Sequence, residues 1–190
     1  MRVVIVYESL FGNTHEIAEA VRTGIARAQE EAQVICVPVA GADPELVRSA
    51  DLLVVGGPTH MRGMSTGLSR RLGVEGEQKA AAGNGEVPRT EPGAAGPGVR
   101  DWLHALPKAP KGGLATAFDT RADFRMAGGA ARGIVHRLTH HGYELVAEPE
   151  GFLIEDTEGP LREGERDRAE EWGAALAWKA TAAAGSRSRR

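Results

Sequence analysis

The sequence predicts a three-layer α/β domain, a five-stranded parallel sheet with helices on both faces. Three observations carry this. Val3-Val4-Ile5-Val6-Tyr7 is a continuous apolar run of strand length, the pattern of a strand buried on both faces. Ile17, Val21 and Ile25 then recur at four-residue spacing, one face of an amphipathic helix. Strand, helix, strand, helix, strand follow one another up to Pro58, which predicts right-handed crossovers and a parallel sheet. At 190 residues the chain holds one domain. It can bury a core without disulfide or metal staples.

The elements follow in order. A polar-glycine turn, Glu8 to Asn13, leads into a helix over about 14–30. Val34-Ile35-Cys36-Val37 reads as the second strand. Asp43-Pro44-Glu45 is a helix start, an N-cap followed by proline at the first helical position. Asp51-Leu52-Leu53-Val54-Val55 is the third strand, ending at Gly56-Gly57-Pro58. Val99, Trp102, Leu103 and Leu106 mark a helix face, and Leu114 to Phe118 the fourth strand. Ala130, Ile134 and Leu138 mark the next helix, stopped near Gly142. Leu145-Val146 and Phe152-Leu153-Ile154 read as a fifth strand broken by Pro149-Glu150-Gly151. Ala169, Trp172 and Leu176 carry the last helix. Residues 74–98 are rich in Gly, Ala, Pro and Glu and show no periodicity. They are expected to form a flexible insertion dispensable for folding, with a mobile lid as the sharper alternative. The domain spans 1–183, and 184–190 is expected to be a disordered basic tail.

Composition narrows the function. With 26 acidic and 23 basic residues the net charge is −3, which argues against nucleic-acid binding. One cysteine makes no intrachain disulfide. No apolar run approaches the ~18 residues of a membrane helix, and the N-terminus lacks a signal-peptide plan. A soluble cytoplasmic protein without membrane insertion is expected; a homo-oligomer is allowed.

In open parallel sheets, ligands bind beyond the carboxyl ends of the strands. Three loops leave those ends: Glu8–Asn13, Gly57–Met64 and Asp119–Gly128. The first, Ser9-Leu10-Phe11-Gly12-Asn13-Thr14, joins a strand to a helix N-terminus, where free N–H groups and the helix dipole favour an anion. It holds hydroxyl and amide donors but no Lys or Arg, so a phosphate there would be held by neutral dipoles. The segment alone reads equally as an ordinary turn capped by Asn13 or Ser9. No G-x-x-x-x-G-K-[ST] is present, and no G-x-G-x-x-G follows the first strand. The third strand ends in Gly56-Gly57-Pro58 rather than the acceptor Asp of a receiver domain.

Taken together, these loops resemble those of the flavodoxin-like family, which binds flavin mononucleotide (FMN). Ser9-Leu10-Phe11-Gly12-Asn13-Thr14 looks like its phosphate loop, [ST]-x-[TF]-G-[NS]-T, and Gly57-Pro58-Thr59-His60 like its second flavin loop. Gly129-Ala130 opens the helix after the fourth strand as Gly-Ala does in flavodoxins. That register puts Phe124 where many of them carry a ring-stacking tyrosine. The resemblance implies strand order 2-1-3-4-5. It implies FMN contacts from Ser9, Leu10, Phe11, Gly12, Asn13 and Thr14. The second loop would add Pro58, Thr59, His60, Met61, Arg62 and Gly63, and the third Asp119, Thr120, Arg121 and Phe124. The chain departs from the family in offering only His60 as an aromatic ring in the second loop, with Met61 polarizable beside it, and in carrying Glu8. Pro58-Thr59-His60-Met61-Arg62-Gly63-Met64 looks closer to the P-T-[RH]-x-G-x-M type of flavin-dependent quinone reductases.

Three readings follow. One is an NAD(P)H-dependent reductase of quinones or similar small acceptors. The second is an electron carrier docking to redox partners. The third is a scaffold that has lost its cofactor. Electron-carrying flavodoxins are typically acidic around the flavin, whereas here Arg62, Arg121 and Arg125 stand against Asp119 and Asp123. Positive charge stabilises the reduced, anionic flavin, which favours the reductase. No separate acid–base dyad is visible; His60 is a weak candidate proton donor, and ring contact is its plainer role. Cys36 reads as an inert thiol and His136 and His140 as surface residues, so no metal is expected. Trp102 and Trp172 read as core, Trp178 as partly exposed.

Overall fold

The computed structural model describes residues 1–60, 63–123 and 129–187. β1 (Arg2–Tyr7) lies between β2 (Gln33–Pro38) and β3 (Leu52–His60), and β3 pairs with β5 (Leu114–Ala122), all in parallel. β4 (Gly63–Met64) turns back antiparallel on Thr59 and His60. Two short strands share the outer position: β6 (Glu144–Leu145) pairs with the start of β5 and β7 (Glu150–Ile154) with its end. The order β2-β1-β3-β5-β6 is the predicted 2-1-3-4-5, with the last strand interrupted at Pro149, which has no N–H to give a ladder.

Alternation explains the apolar runs. Val3, Ile5, Leu52, Val54 and Phe118 pack in one layer with α1 (Asn13–Ala28) and α6 (Glu165–Arg187). Val4, Val6, Leu53, Val55 and Ala117 pack in the other with α4 (Val99–Ala105) and α5 (Ala130–His140). Because both faces are covered, neither set can be polar. α2 (Pro44–Arg48) starts as predicted, with Asp43 accepting from the Glu45 N–H at 2.8 Å.

The stretch read as aperiodic is helical to Asn84, in α3 (Gly67–Asn84). A capping box starts it: the Ser69 N–H donates to Thr66 Oγ1 at 3.1 Å, and the Thr66 N–H to Ser69 Oγ at 2.8 Å. Its apolar pattern is missing for a physical reason. Leu68 and Leu72 are exposed at 61% and 57%, while the buried positions are Arg70, Glu77 and Ala81. α3 packs inward through charges, which periodicity does not register. At the other end of the chain, α6 continues beyond the expected limit at 183 to Arg187.

Candidate functional site

A cavity of about 420 Å³ opens at the carboxyl ends of β1, β3, β5 and β7. It lies within the ~300–1,000 Å³ range of ligand sites and beside the β1/β3 switch in strand order. The loop after β1 forms one wall. Gly12 adopts φ +91° at the N-cap of α1 and offers no side-chain cap; a side chain would strain this left-handed backbone. Its own N–H donates to Ser9 Oγ at 3.1 Å. The N–H groups of Asn13, Thr14 and His15 meet no acceptor among the described residues. Thr14 Oγ1 lies 2.7 Å from Thr120 Oγ1, and both side chains are buried. One proton lies between these oxygens, which leaves the other hydroxyl proton free for a ligand.

The helix after β5 begins differently. The Ala130 N–H donates to Thr59 Oγ1 and the Ala131 N–H to Asp119 Oδ2, each at 2.9 Å. Asp119 is fully buried, and its Oδ1 has no hydrogen-bond donor among the described residues. Arg121 Nη1 stands 3.6 Å from that oxygen. Burial pushes the Asp119 carboxyl up, against the Ala131 N–H and the Arg121 charge, which pull it down. The guanidinium rests on backbone: a Cβ at Gly151 would lie 2.1 Å from Nη2, and one at Gly129 2.7 Å from Nη1.

Under the second loop lies a buried charge network. Glu8 accepts from the Ser65 hydroxyl and, at 2.7 Å, from the Val99 N–H. Arg70 Nη1 is 4.0 Å from Glu8 and Nη2 2.7 Å from Asp101. Arg70 also donates to the Gly96 carbonyl at 2.9 Å. The hydrogen bond from Arg70 holds the Asp101 carboxyl below its usual range. Burial lowers the pKa of His60, on the cavity wall; the Glu8 charge opposes this and Arg70 adds to it.

The structure thus gathers Ser9, Leu10, Phe11, Asn13, Thr14, Pro58, Thr59, His60, Thr120 and Arg121 on one cavity. Gly12 shapes the turn, Gly63 pairs with His60 in the β3/β4 ladder, and Asp119 lies buried against Arg121. Met61, Arg62, Phe124 and Arg125 lie outside the described residues. Sequence reasoning missed Gly73, Ala122, Ile154, Thr157 and Glu158, which also line the cavity. Asp156-Thr157-Glu158-Gly159 leaves the carboxyl end of β7 as the other three loops leave theirs. That rule could have found it.

Cys36 sits in β2 with its thiol pushed well up by burial. No group of three or more His, Cys, Asp or Glu among the described residues is placed to hold a metal ion. No helix among them is long and apolar enough to cross a membrane.

No protein-family model and no curated protein matches the sequence. Solved structures do. Flavodoxin 2 from Bacillus cereus superposes with a TM-score of 0.63 at 21% identity, covering 94% of this chain and 99% of that one. The fold is flavodoxin-like. A flavodoxin from the domain Archaea gives a TM-score of 0.61 at 16% identity, covering 95% and 99%. A diflavin flavoprotein A3 from Nostoc gives 0.54 at 18%, covering 98% and 97%. On this flavodoxin-like frame the cavity lies where three of its walls are the loops singled out from the sequence.

Proposed function

We propose that the chain binds FMN in this cavity and works as an NAD(P)H-dependent reductase of quinones or similar small acceptors. One observation carries the FMN reading: the uncapped N-terminus of α1, with Gly12 at φ +91° and the Thr14–Thr120 hydroxyl pair, faces a cavity of about 420 Å³. Backbone N–H groups and hydroxyls without a cation suit the phosphate of a retained cofactor. The cavity wall of His60, Pro58 and Arg121 is left for the ring. Arg121, paired with the buried Asp119, brings guanidinium donors to the cavity wall, which suits a heteroaromatic ring edge. A bound flavin supplies transfer of electrons singly or as a hydride pair; the protein orients it and tunes its charge. Arg121 on the wall favours the reductase, because a cation there stabilises a reduced ring.

The second reading is an electron carrier serving redox partners, which the flavodoxin neighbours favour. An absorption spectrum of the purified protein and an anaerobic titration with NADH and NADPH separate the readings. Flavin bands bleached directly by a nicotinamide support the reductase. Bleaching that needs a separate reductase supports the carrier. A protein that takes up no flavin from excess FMN overturns both.

A further inference from the structure

The loop at the start of α1 has no cation, yet a carboxylate stands beside it. Glu158 lines the cavity with Ser9, Asn13 and Thr14, and its carbonyl accepts from Asn13 Nδ2 at 2.8 Å. Unscreened, that carboxylate would repel a phosphate on the loop. Arg89 meets it, with Nη2 3.0 Å from Glu158 Oε2. Arg89 is itself fixed from α3: its backbone N–H donates to Glu77 Oε1 at 2.8 Å, and its Nε stands 3.3 Å from the same oxygen. Two residues on, the Glu91 N–H donates to the Leu10 carbonyl at 3.0 Å. The Glu91 carboxylate accepts from His15 Nδ1 at 2.7 Å, and the His15 ring stacks on Tyr7 at 4.6 Å. The segment after α3 therefore grips the loop before Gly12, at Leu10, and after it, at His15. It also carries a guanidinium to the wall beyond.

The geometry points to Arg89 as a positioning residue that screens Glu158 and so sets how strongly the cavity prefers a phosphorylated ligand to the same ligand without its phosphate. This rests on the proposed phosphate site and adds to it a residue outside the three loops. It also gives the segment a role that a dispensable insertion would not have. The charges make the consequence specific. Removing Arg89 leaves the Glu158 carboxylate at the cavity wall without its counterion; removing the Glu158 charge leaves Arg89 paired with Glu77 alone and takes one negative charge from that wall. A ligand without phosphate is insensitive to both.

FMN and riboflavin affinities of the full chain test this by fluorescence quenching. Arg89→Ala should weaken FMN roughly three- to tenfold, with riboflavin held within about twofold. Glu158→Gln, which keeps the carbonyl bond to Asn13, should tighten FMN by a few-fold and leave riboflavin alone. Adding Glu158→Gln to Arg89→Ala should restore FMN binding. Equal weakening of both ligands by Arg89→Ala, or a double variant no better than Arg89→Ala, overturns the inference. Should Arg89→Ala fail to fold, Glu158→Gln alone decides, and an unchanged FMN affinity counts against it. A wild-type protein that binds riboflavin as tightly as FMN overturns the phosphate site itself, and this inference with it. A wild-type preference for FMN that neither variant alters overturns only the role of Arg89.

Discussion

α1 and α5 both begin at the carboxyl edge of the sheet, after β1 and β5, the two strands that flank β3, and they are finished in opposite ways. At α5 the first N–H groups are taken by Thr59 and Asp119. At α1 they meet no acceptor among the described residues. Each helix carries the same dipole. What differs is whether an adjoining strand supplies a carboxylate. The α5 end satisfies itself and keeps a buried charge, Asp119, with Arg121 as its counterion. Under the proposed function, the α1 end is completed by the ligand's phosphate. Substitutions on the self-satisfied, charged side should therefore act on stability or on the reactivity of the ring, and those at α1 mainly on binding.

The largest effect should come from the buried charges beside that side. Arg70 and Glu8 have side chains only 4% and 6% exposed. Arg70→Met leaves the Glu8 carboxylate buried with neutral donors alone, which should cost about 3–5 kcal/mol. Denaturant unfolding measures it. A loss under about 1 kcal/mol would mean that the Ser65 hydroxyl and the Val99 N–H suffice, and that Arg70 is a spectator.

At the open end, Thr14→Ala removes a hydroxyl of the pair with Thr120. We expect FMN binding to fall by about 1.5–3 kcal/mol, roughly tenfold or more in affinity, with riboflavin nearly unaffected. Parallel losses for the two ligands would put the phosphate somewhere else and remove the contrast between the two helix ends.

How legible each side was in the sequence follows the same division. Strands buried on both faces show as apolar runs, so β1, β3 and β5 were readable, and Asp43-Pro44 marked the start of α2 unaided. The α1 loop by itself reads equally as an ordinary capped turn, and only its place in series with the loops after β3 and β5 marks it as a candidate site. The charged side was not readable. Glu8 carries no sign of its role in the sequence, since its partners Ser65, Arg70 and Val99 lie far along the chain. α3 shows no apolar stripe because Arg70 and Glu77 occupy its buried positions. A buried ion pair has no signature in one dimension; it exists only once the chain has brought both partners together.

Arg121 sharpens the comparison on the ring side. Its guanidinium lines the cavity and is about one-third exposed, so its field is partly screened. Arg121→Ala should lower the flavin midpoint potential by an amount of order 1 kcal/mol while FMN affinity through the phosphate holds. Spectroelectrochemistry of the bound flavin reads this. An unmoved potential would show that Arg121 serves only to balance Asp119, and would withdraw the charge argument for a reductase.

The smallest effect concerns His60. Burial lowers its pKa from the ordinary value of 6.5, so the unfolded chain takes up this proton before the folded one does. The sign follows from linkage: as pH falls through about 6.5, the unfolded state gains protons first and the folded state loses stability. His141, lowered chiefly by burial as well, contributes in the same direction. Between pH 7.5 and 5.5, stability should therefore decline, with His60 and His141 both contributing. His60→Asn should remove one share and His141→Asn the other, each seen as a flatter dependence of unfolding midpoint on pH. Bound FMN should steepen the decline if the ring covers His60, because a covered imidazole is harder still to protonate. A pH dependence that FMN leaves unchanged would mean that His60 lies clear of the ring, and that the second loop meets the ligand through other residues.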